Sequence, residues 1–172
     1  MTTIAEEQVE PAGPDSQSFL LKRVQPALSG LMDGSLSTLA PIFAVVLATH
    51  HPLTAFYTGA ATALGAGVSM AFSEGLSDTG DLTGRGSPVL RGAITGGGTF
   101  LGGIFHSLPF LIPGYGAAIS AAIAVVAVEL VTLAYLRHRF FQTGFARSFV
   151  AVAVGGAIIA SLSAGLGILA AG

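Results

Sequence analysis

The feature that most constrains this chain is an apolar stretch, residues 28–49, that carries an aspartate, Asp33, inside it. About 20 residues at a rise of 1.5 Å each are enough for a helix to cross a bilayer. A carboxylate inside such a helix costs on the order of 2.5–3.5 kcal/mol on insertion scales, so it seldom lacks a role. Pro41 lies further along and has no amide hydrogen, which frees the carbonyl of Ser37. The stretch therefore predicts a transmembrane helix that forms one wall of a cation path.

The composition indicates an integral membrane protein. Of the 172 residues, 52% are hydrophobic and only 9% are charged, whereas soluble domains have about 25% charged residues. The net charge of −2 argues against a nucleic-acid partner, which would favour a basic surface. The chain has no cysteine, which excludes disulfides and thiolate metal sites. We expect a membrane protein that binds no nucleic acid and is not an enzyme.

Five apolar segments, each long enough for a tilted transmembrane helix, follow one another along the chain. Their pattern lacks the alternation of membrane strands. The first 25 residues are polar and acidic, without the basic start and apolar core of a signal peptide, which predicts disorder. We therefore predict a disordered tail, 1–25, and an all-α domain, 26–172, with five transmembrane helices near residues 28–49, 53–76, 90–111, 116–136 and 145–170.

The basic residues predict the orientation of the chain. All seven lie before the first span or in or beside the second or fourth break between spans. Five crossings put these regions on one side, and the positive-inside rule makes that side the cytoplasm. The N-terminus is then cytoplasmic and the C-terminus lies outside. The seven residues are Lys22, Arg23, Arg85, Arg91, Arg137, Arg139 and Arg147.

Small residues recur at every fourth position in several spans, as at Gly30 and Gly34 in the first and Gly59, Ala63 and Gly67 in the second. Such spacing lets helix backbones approach closely in lipid. Close helix packing alone accounts for most of these glycines.

Three acidic residues lie within the predicted spans: Asp33, Glu74 and Glu129. Met70 lies one helical turn from Glu74 on the same face. We predict that Asp33, Met70 and Glu74 converge at one depth in the cytoplasmic half of the membrane. Carboxylate and thioether ligands suit Fe²⁺, Mn²⁺ or Co²⁺ better than Mg²⁺ or Ca²⁺. Because three ligands are few, a two-fold dimer with this face at its axis would double them.

Each predicted ligand also has a structural interpretation. Asp33 can cap the first helix, where a carboxylate complements the helix dipole. Glu74 can pair with Arg85 or Arg91 near the headgroups. Met70 can simply fill space in the core. The residues alone leave these alternatives open.

The remaining chemistry-bearing residues are ambiguous at this stage. Glu129, deeper in the fourth span, is compatible with a structural role, a proton relay or metal ligation. His50, His51 and His106 are predicted near the outer face. Histidines at helix ends are usually ordinary interfacial residues, although an exit site for a metal ion or a proton is the alternative.

Two motifs resemble a known family. The sequences MDGSLSTLAPIFA (32–44) and GAGVSMAFSEGLSDTG (65–80) resemble the first two helices of the vacuolar iron transporter family. The continuations DLTGRGSPVLRG and GGIFHSLPFLIP resemble its bacterial branch, the membrane-bound ferritin-like iron exporters. The likeness runs roughly from residue 22 to the C-terminus, and the DG and SM-x-x-x-E motifs are specific in combination only.

The resemblance implies a homodimer of five-helix subunits with the ion path on the two-fold axis. It also implies proton-coupled export of Fe²⁺ or Mn²⁺ from the cytoplasm, here across a bacterial inner membrane. By position, the family's aspartate falls on Asp33, its methionine on Met70 and its glutamate on Glu74. The metal ion is the transported cargo, no cofactor is bound permanently, and the other partners are protons, the lipid bilayer and the second copy.

Two metal-gathering parts of the family have no counterpart here: the cytosolic helical insert of eukaryotic members and the ferritin-like domain of the bacterial fusions. Two alternatives are therefore open: a separate soluble partner gathers the metal, or this protein has an ancillary role. The alternatives to an exporter are a non-transporting membrane module that oligomerises and docks a soluble metal-handling partner, and a passive channel with the same walls.

Overall fold

The computed structural model of the protein describes residues 14–81 and 83–171. All regular secondary structure in these residues is helical, which confirms the predicted all-α class. In chain order the elements are α1 (Pro14–Phe19), a π-helical turn (Leu20–Val24), α2 (Gln25–Thr49), α3 (Pro52–Ser77), α4 (Pro88–Ser107), a 3-10 turn (Leu108–Leu111), α5 (Tyr115–Phe141) and α6 (Phe145–Ala171).

Within the described residues, four helices are long and apolar enough to cross a membrane: Asp15–Thr49, Pro52–Ser77, Tyr115–Phe141 and Phe145–Ala170. They agree with a multi-pass membrane protein. The third predicted span corresponds to α4 and the 3-10 turn, and α4 is not among the four. It has 20 residues, several of them glycine, and it carries Arg91 and His106, which lower its apolar character.

The chain is helical before residue 25 where it is described, so the expectation of a disordered tail is wrong for residues 14–24. Composition misled here because apolar residues from Phe19 onward follow the polar stretch and continue the helix of α2. In the π-helical turn, the amide of Gln25 donates to the carbonyl of Leu20. The next residue, Pro26, has no amide hydrogen to keep the regular α-helical pattern. Residues 1–13 lie outside the described residues.

Helix α4 is the element against which α2 and α3 pack. On the α2 side, Gly30 lies against the backbone of Thr95, and Gly34 lies against the backbone of Thr99. A Cβ atom on either glycine would overlap the facing carbonyl oxygen. The close approach predicted for the glycines of α2 is therefore confirmed, and it fixes the register of the two helices.

The contact between α3 and α4 is equally tight and extends along both helices. Gly92, near the start of α4, lies against Ala71, and Ser107, at its end, lies against Gly59. Helix α4 therefore runs antiparallel to α3 from one end of the bundle nearly to the other. Because the glycines have no side chain, backbone groups of α3 and α4 and the hydroxyl of Ser107 lie in the interface between the two helices.

An apolar cluster closes the end of the bundle at which α2 ends and α3 begins. The 3-10 turn places Phe110 in it, and the ring of Phe43 contacts this phenyl group edge to face, 6.4 Å between centroids. Lipid is as apolar as these side chains, so burying them gains little from the hydrophobic effect. Close van der Waals packing stabilises the cluster instead. Its buried residues are Ile42, Val46, Ala55, Phe110, Ala118 and Ala122.

Helix α6 lies on the outside of the bundle against α2 and α5. Gly167 contacts Ala44 of α2, and Gly156 contacts Leu130 of α5. Most of its large apolar side chains are exposed, as expected of a helix that faces hydrocarbon. These are Phe145, Phe149, Val150, Val154, Ile158, Leu162, Leu166, Ile168 and Leu169.

Candidate functional site

Polar residues form a stripe at every fourth position of α2. Gln25, Ser29 and Ser37 are exposed, and Asp33 between them is half-buried. Residues four apart share one helix face, so this α2 stripe is continuous. The side chain of Asp33 forms no hydrogen bond or ion pair with any residue that the structure describes. An unpartnered carboxylate therefore lies on the side of a helix that is apolar enough to span a membrane.

The position of Asp33 removes its interpretation as a helix cap. Helix α2 begins at Gln25 and continues the helical turns before it, so the amides around Asp33 are already bonded within the helix. The neighbouring Gly34 lies against the backbone of Thr99, which holds the main chain of α2 firmly at this point. Asp33 is a fixed acceptor that is free to bind a cation or a proton.

Glu74 has two cationic partners. One of its oxygens, Oε1, accepts hydrogen bonds from Nη2 of Arg85 and from Nε of Arg91, both at 2.7 Å. The guanidinium of Arg91 is completely buried. The ion pairing that the sequence left open as an alternative is therefore present, and it neutralises one of the three predicted metal ligands.

Asp78, just after α3, completes this ion cluster, which comprises Glu74, Asp78, Arg85 and Arg91. Its Oδ2 atom lies 3.1 Å from Nη2 of Arg91 and 3.3 Å from Nη1 of Arg85. Desolvation acts to raise the pKa of Asp78. Hydrogen bonds from Thr83 and Gly80 and the charges of the two arginines outweigh it, so this pKa lies below its ordinary value. The carboxylate stays ionised and holds the loop between α3 and α4.

Arg91 also satisfies main-chain groups at the end of α3. Its Nη2 atom donates to the carbonyl oxygens of Glu74, at 3.2 Å, and of Asp78, at 3.4 Å. Carbonyls at a helix C-terminus have no partner within the helix, so a cation there is favourable. The ion cluster is thus a structural junction between α3 and α4.

The structure gives the relative depths of α2 and α3 through their shared neighbour. Gly30 of α2 contacts Thr95, and Gly67 of α3 contacts the next residue of α4, Gly96. These two glycines therefore mark one level of the bundle. Helices α2 and α3 run in opposite directions. Residues that follow Gly30 in α2 and residues that follow Gly67 in α3 therefore lie on opposite sides of that level.

Asp33 and Glu74 are consequently not at one depth within a single chain, which corrects the expectation of convergence. Counting 1.5 Å per residue from the common level separates them by roughly 15 Å along the bundle, with Met70 at an intermediate depth. The described part of the chain contains no group of three or more histidine, aspartate or glutamate side chains placed to hold a metal ion. The metal site of Asp33, Met70 and Glu74 stays a prediction.

A second polar group lies inside the bundle, where α2, α4 and α5 meet. We call it the central cluster: Ser35, His106 and Glu129. Ser35 is hydrogen-bonded to Oε1 of Glu129, and Nε2 of His106 lies 3.1 Å from Oε2 of the same carboxyl. The side chains of His106 and Glu129 are only 3% and 13% exposed. Two titratable groups therefore share a buried contact.

The location of His106 differs from the sequence prediction. It was expected near the outer face, as an ordinary interfacial residue, but its side chain is buried and lies beside Glu129, near the middle of α5. His50 and His51, in contrast, lie exposed between α2 and α3. The sequence singled out Glu129 but missed its two partners. Their contact depends on the register of three helices, which no local pattern reveals.

The described residues thus provide two different acidic groups within helices that are long and apolar enough to cross a membrane. Asp33 is unpartnered on the side of α2, and Glu129 is buried beside His106. Comparison with family models, curated proteins and solved structures finds no match for this chain. An unpartnered carboxylate suits a cation, whereas a carboxyl beside an imidazole suits a proton.

Proposed function

We propose that this protein is a homodimeric, proton-coupled exporter of divalent transition-metal ions, Fe²⁺ or Mn²⁺, from the cytoplasm across a bacterial inner membrane. The observation that supports this proposal is the uncovered α2 stripe with Asp33 at its centre. Polar groups that face hydrocarbon are costly, so they usually face the interior of an assembly. A second copy related by a two-fold axis would cover the stripe with an identical one.

In the proposed dimer two Asp33 carboxylates face each other and bind the ion. Divalent transition metals usually take four to six ligands. The two carboxylates provide up to four oxygens, and Ser37 with its freed carbonyl adds more one turn further along. Protonation of a ligating carboxylate releases the cation, so export of metal against entry of protons follows from the same groups.

Glu74 belongs to the ion cluster, which marks the cytoplasmic end in this proposal, and Met70 lies at a depth between Glu74 and Asp33. They would receive the ion before it reaches Asp33. Glu74 can bind metal only after it separates from Arg85 and Arg91, so its proposed role belongs to a state in which the ion cluster has opened. Met70 would contribute a soft ligand that favours transition metals.

We further propose that α4 and the 3-10 turn form a fifth crossing. Helix α4 follows α3 from Ala71, beside Gly92, to Gly59, beside Ser107, so both helices extend through similar thickness. With five crossings, the basic residues share the cytoplasmic side and the C-terminus lies outside. The resemblance of residues 32–44 and 65–80 to vacuolar iron transporters supports the same arrangement.

The alternative is a non-transporting membrane module that oligomerises and docks a soluble metal-handling partner. The observation that favours it is the neutralisation of Glu74 by two arginines, which removes one predicted ligand. A module of this kind would use the α2 stripe only as a contact between copies.

Purified dimer in liposomes separates these functions. An exporter moves Fe²⁺ or Mn²⁺ and changes the internal pH in the same experiment. A passive channel moves metal without a coupled pH change, and a docking module moves neither. The matched variants are Asp33→Asn and Asp81→Asn, since Asp81 lies exposed in the loop after α3. We expect flux to be lost only in Asp33→Asn. Flux equal to wild type in that variant would overturn the proposal.

A further inference from the structure

The central cluster has more hydrogen-bond acceptor atoms than polar hydrogens that can be donated to them. Nδ1 of His106 lies 2.9 Å from the carbonyl oxygen of Gly102, which can only accept, so Nδ1 carries a hydrogen. In a neutral imidazole the other nitrogen, Nε2, then has a lone pair. That lone pair lies 3.1 Å from Oε2 of Glu129. A neutral His106 beside an ionised Glu129 would therefore place two acceptors against each other.

Ser35 does not supply the missing hydrogen. Its hydroxyl has one hydrogen and two acceptors within reach, the carbonyl oxygen of Leu31 at 2.7 Å and Oε1 of Glu129. The other carboxyl oxygen, Oε2, is buried and receives no aligned hydrogen bond from any described residue. A buried acceptor without a donor destabilises the folded protein, because no hydrogen bond offsets its desolvation. One more hydrogen, on Oε2 or on Nε2, removes that destabilisation.

Within residues 14–81 and 83–171, no cation other than a protonated His106 is placed to compensate an ionised Glu129. Among the described residues, the other titratable groups on the surrounding helices form no ion pair or hydrogen bond with His106 or Glu129. On α5 the nearest arginine in sequence, Arg137, is eight residues from Glu129, about 12 Å along the helix. The remaining groups are Asp33 on α2, Tyr57 and Glu74 on α3, Arg91 on α4, Tyr115, Tyr135, His138 and Arg139 on α5, and Arg147 on α6.

The surroundings of Glu129 also favour a neutral pair. It lies near the middle of α5, about 20 Å along the helix from either end. A groove of about 430 Å³ runs beside it, with walls formed mainly by apolar side chains such as Leu31, Phe105 and Val128. A net charge next to an apolar groove at this depth would be costly. A pair that shares one proton carries no net charge.

We propose that His106 and Glu129 form a proton-binding site in the centre of the bundle, which holds one proton between Nε2 and Oε2 at rest. The proton is carried by Glu129 as a carboxylic acid or by His106 as an imidazolium beside a carboxylate. Loss of this proton to water leaves a carboxylate facing an imidazole lone pair, and their repulsion favours separation of α4 from α5. The site rests on the proposed function only for its role in coupling, where it supplies the proton exchanged for metal.

The proton count can be measured on the purified protein in lipid nanodiscs at neutral pH. Glutamate labelled with ¹³C at the side-chain carboxyl reports protonation by infrared and NMR spectroscopy, and ¹⁵N-histidine reports the protonation of both ring nitrogens. We expect either a protonated glutamate signal that disappears in Glu129→Gln, or a doubly protonated histidine that disappears in His106→Gln. The control His51→Gln, at an exposed histidine, leaves both signals unchanged. An ionised Glu129 beside a neutral His106 would overturn the proposal.

The variant Glu129→Gln should fold, because its amide imitates the protonated acid. It can accept from Ser35 and donate to Nε2 of His106. In liposomes we expect this variant to exchange metal for metal while losing metal accumulation driven by a pH gradient, whereas Asp33→Asn loses both. Full accumulation in Glu129→Gln would overturn the coupling role. If wild-type protein moves no metal, the proposed function fails, and the spectroscopic proton count still decides whether the site exists.

Discussion

Asp33 and Glu74 have the same functional group and opposite surroundings. Asp33 has no partner among the described residues, whereas Glu74 is bonded to two guanidinium groups. A cation approaching Asp33 has no competitor, but a cation approaching Glu74 must displace Arg85 and Arg91. At the scale of single residues, Asp33 is therefore the group that best explains binding of a metal ion.

The first prediction concerns Asp33→Asn, which keeps the volume of the side chain and removes its charge. Since Asp33 caps no helix, expression and dimerisation should remain normal, while efflux is lost with the charged ligand. The measurement is cellular iron and manganese content, with metal sensitivity, in a strain without its own exporters. The control Asp81→Asn makes the same change in an exposed loop. Normal efflux from Asp33→Asn at matched membrane levels would contradict the transport mechanism.

The second prediction concerns Asp78 and pH. Its pKa in the folded protein lies below the ordinary value of 3.8, so its contribution to stability is complete above that value. This contribution is lost as the pH falls through the folded pKa. We expect the protection of amides in the loop after α3, measured relative to their intrinsic exchange rates, to fall below about pH 4. In Asp78→Asn, this protection should already be lower at neutral pH and should lack the acid-dependent fall. An identical pH profile in both proteins would assign the effect to other groups.

At the scale of helices, the glycines of α2 and α4 decide how closely the helices approach. Gly34 contacts the backbone of Thr99, which cannot move aside as a flexible side chain would. Gly97, on α4, has open space where a side chain would begin. The same substitution at these two positions therefore has opposite consequences for stability.

The third prediction follows from this contrast. Gly34→Ala forces α2 away from α4 and should destabilise the protein by about 1–3 kcal/mol, the usual cost of overpacking. Gly97→Ala meets no neighbour and should stabilise its helix by roughly 0.5–1 kcal/mol, because alanine loses less backbone freedom than glycine. Thermal unfolding of both variants in detergent measures the difference. Equal unfolding temperatures would show that α2 and α4 are not in this register.

The sequence predicted elements better than it predicted their relative depth. The apolar segments and the glycine spacing are local patterns, and both agree with the described helices. The sequence placed Asp33 and Glu74 at one depth, but the register of α2 and α3 is set by their contacts with α4. For the same reason the contact of His106 with Glu129 was not foreseen, although each residue had been noted.

At the scale of the whole molecule, the α2 stripe places a carboxylate on a largely apolar exterior. Helix α6 presents apolar side chains, whereas the α2 stripe presents Ser29, Asp33 and Ser37.

The fourth prediction is that Ser37→Cys crosslinks with its own copy in native membranes. Leu166→Cys, exposed on α6, is the matched control and should remain uncrosslinked. Crosslinking through α6 alone would place the dimer contact away from Asp33.

The fifth prediction tests whether α4 crosses the membrane. Ser87 precedes α4 and Pro113 follows the 3-10 turn, and both are exposed. Since the chain contains no cysteine, single introduced thiols can be labelled from either side. We expect Ser87→Cys to react only from the cytoplasm and Pro113→Cys only from outside. Reaction of both from the same side would mean that α4 does not cross and that the chain has an even number of spans.

The continuous helix from Asp15 to Thr49 has 35 residues, about 52 Å at 1.5 Å per residue. The hydrocarbon core is only about 30 Å thick. The helix is therefore roughly 20 Å longer than the core is thick, and the π-helical turn near its N-terminal end is its one departure from the regular α-helix. Because Gly30 and Gly34 fix α2 against the backbone of α4, a force on the N-terminal end of this helix displaces Asp33 only by moving α2 and α4 together.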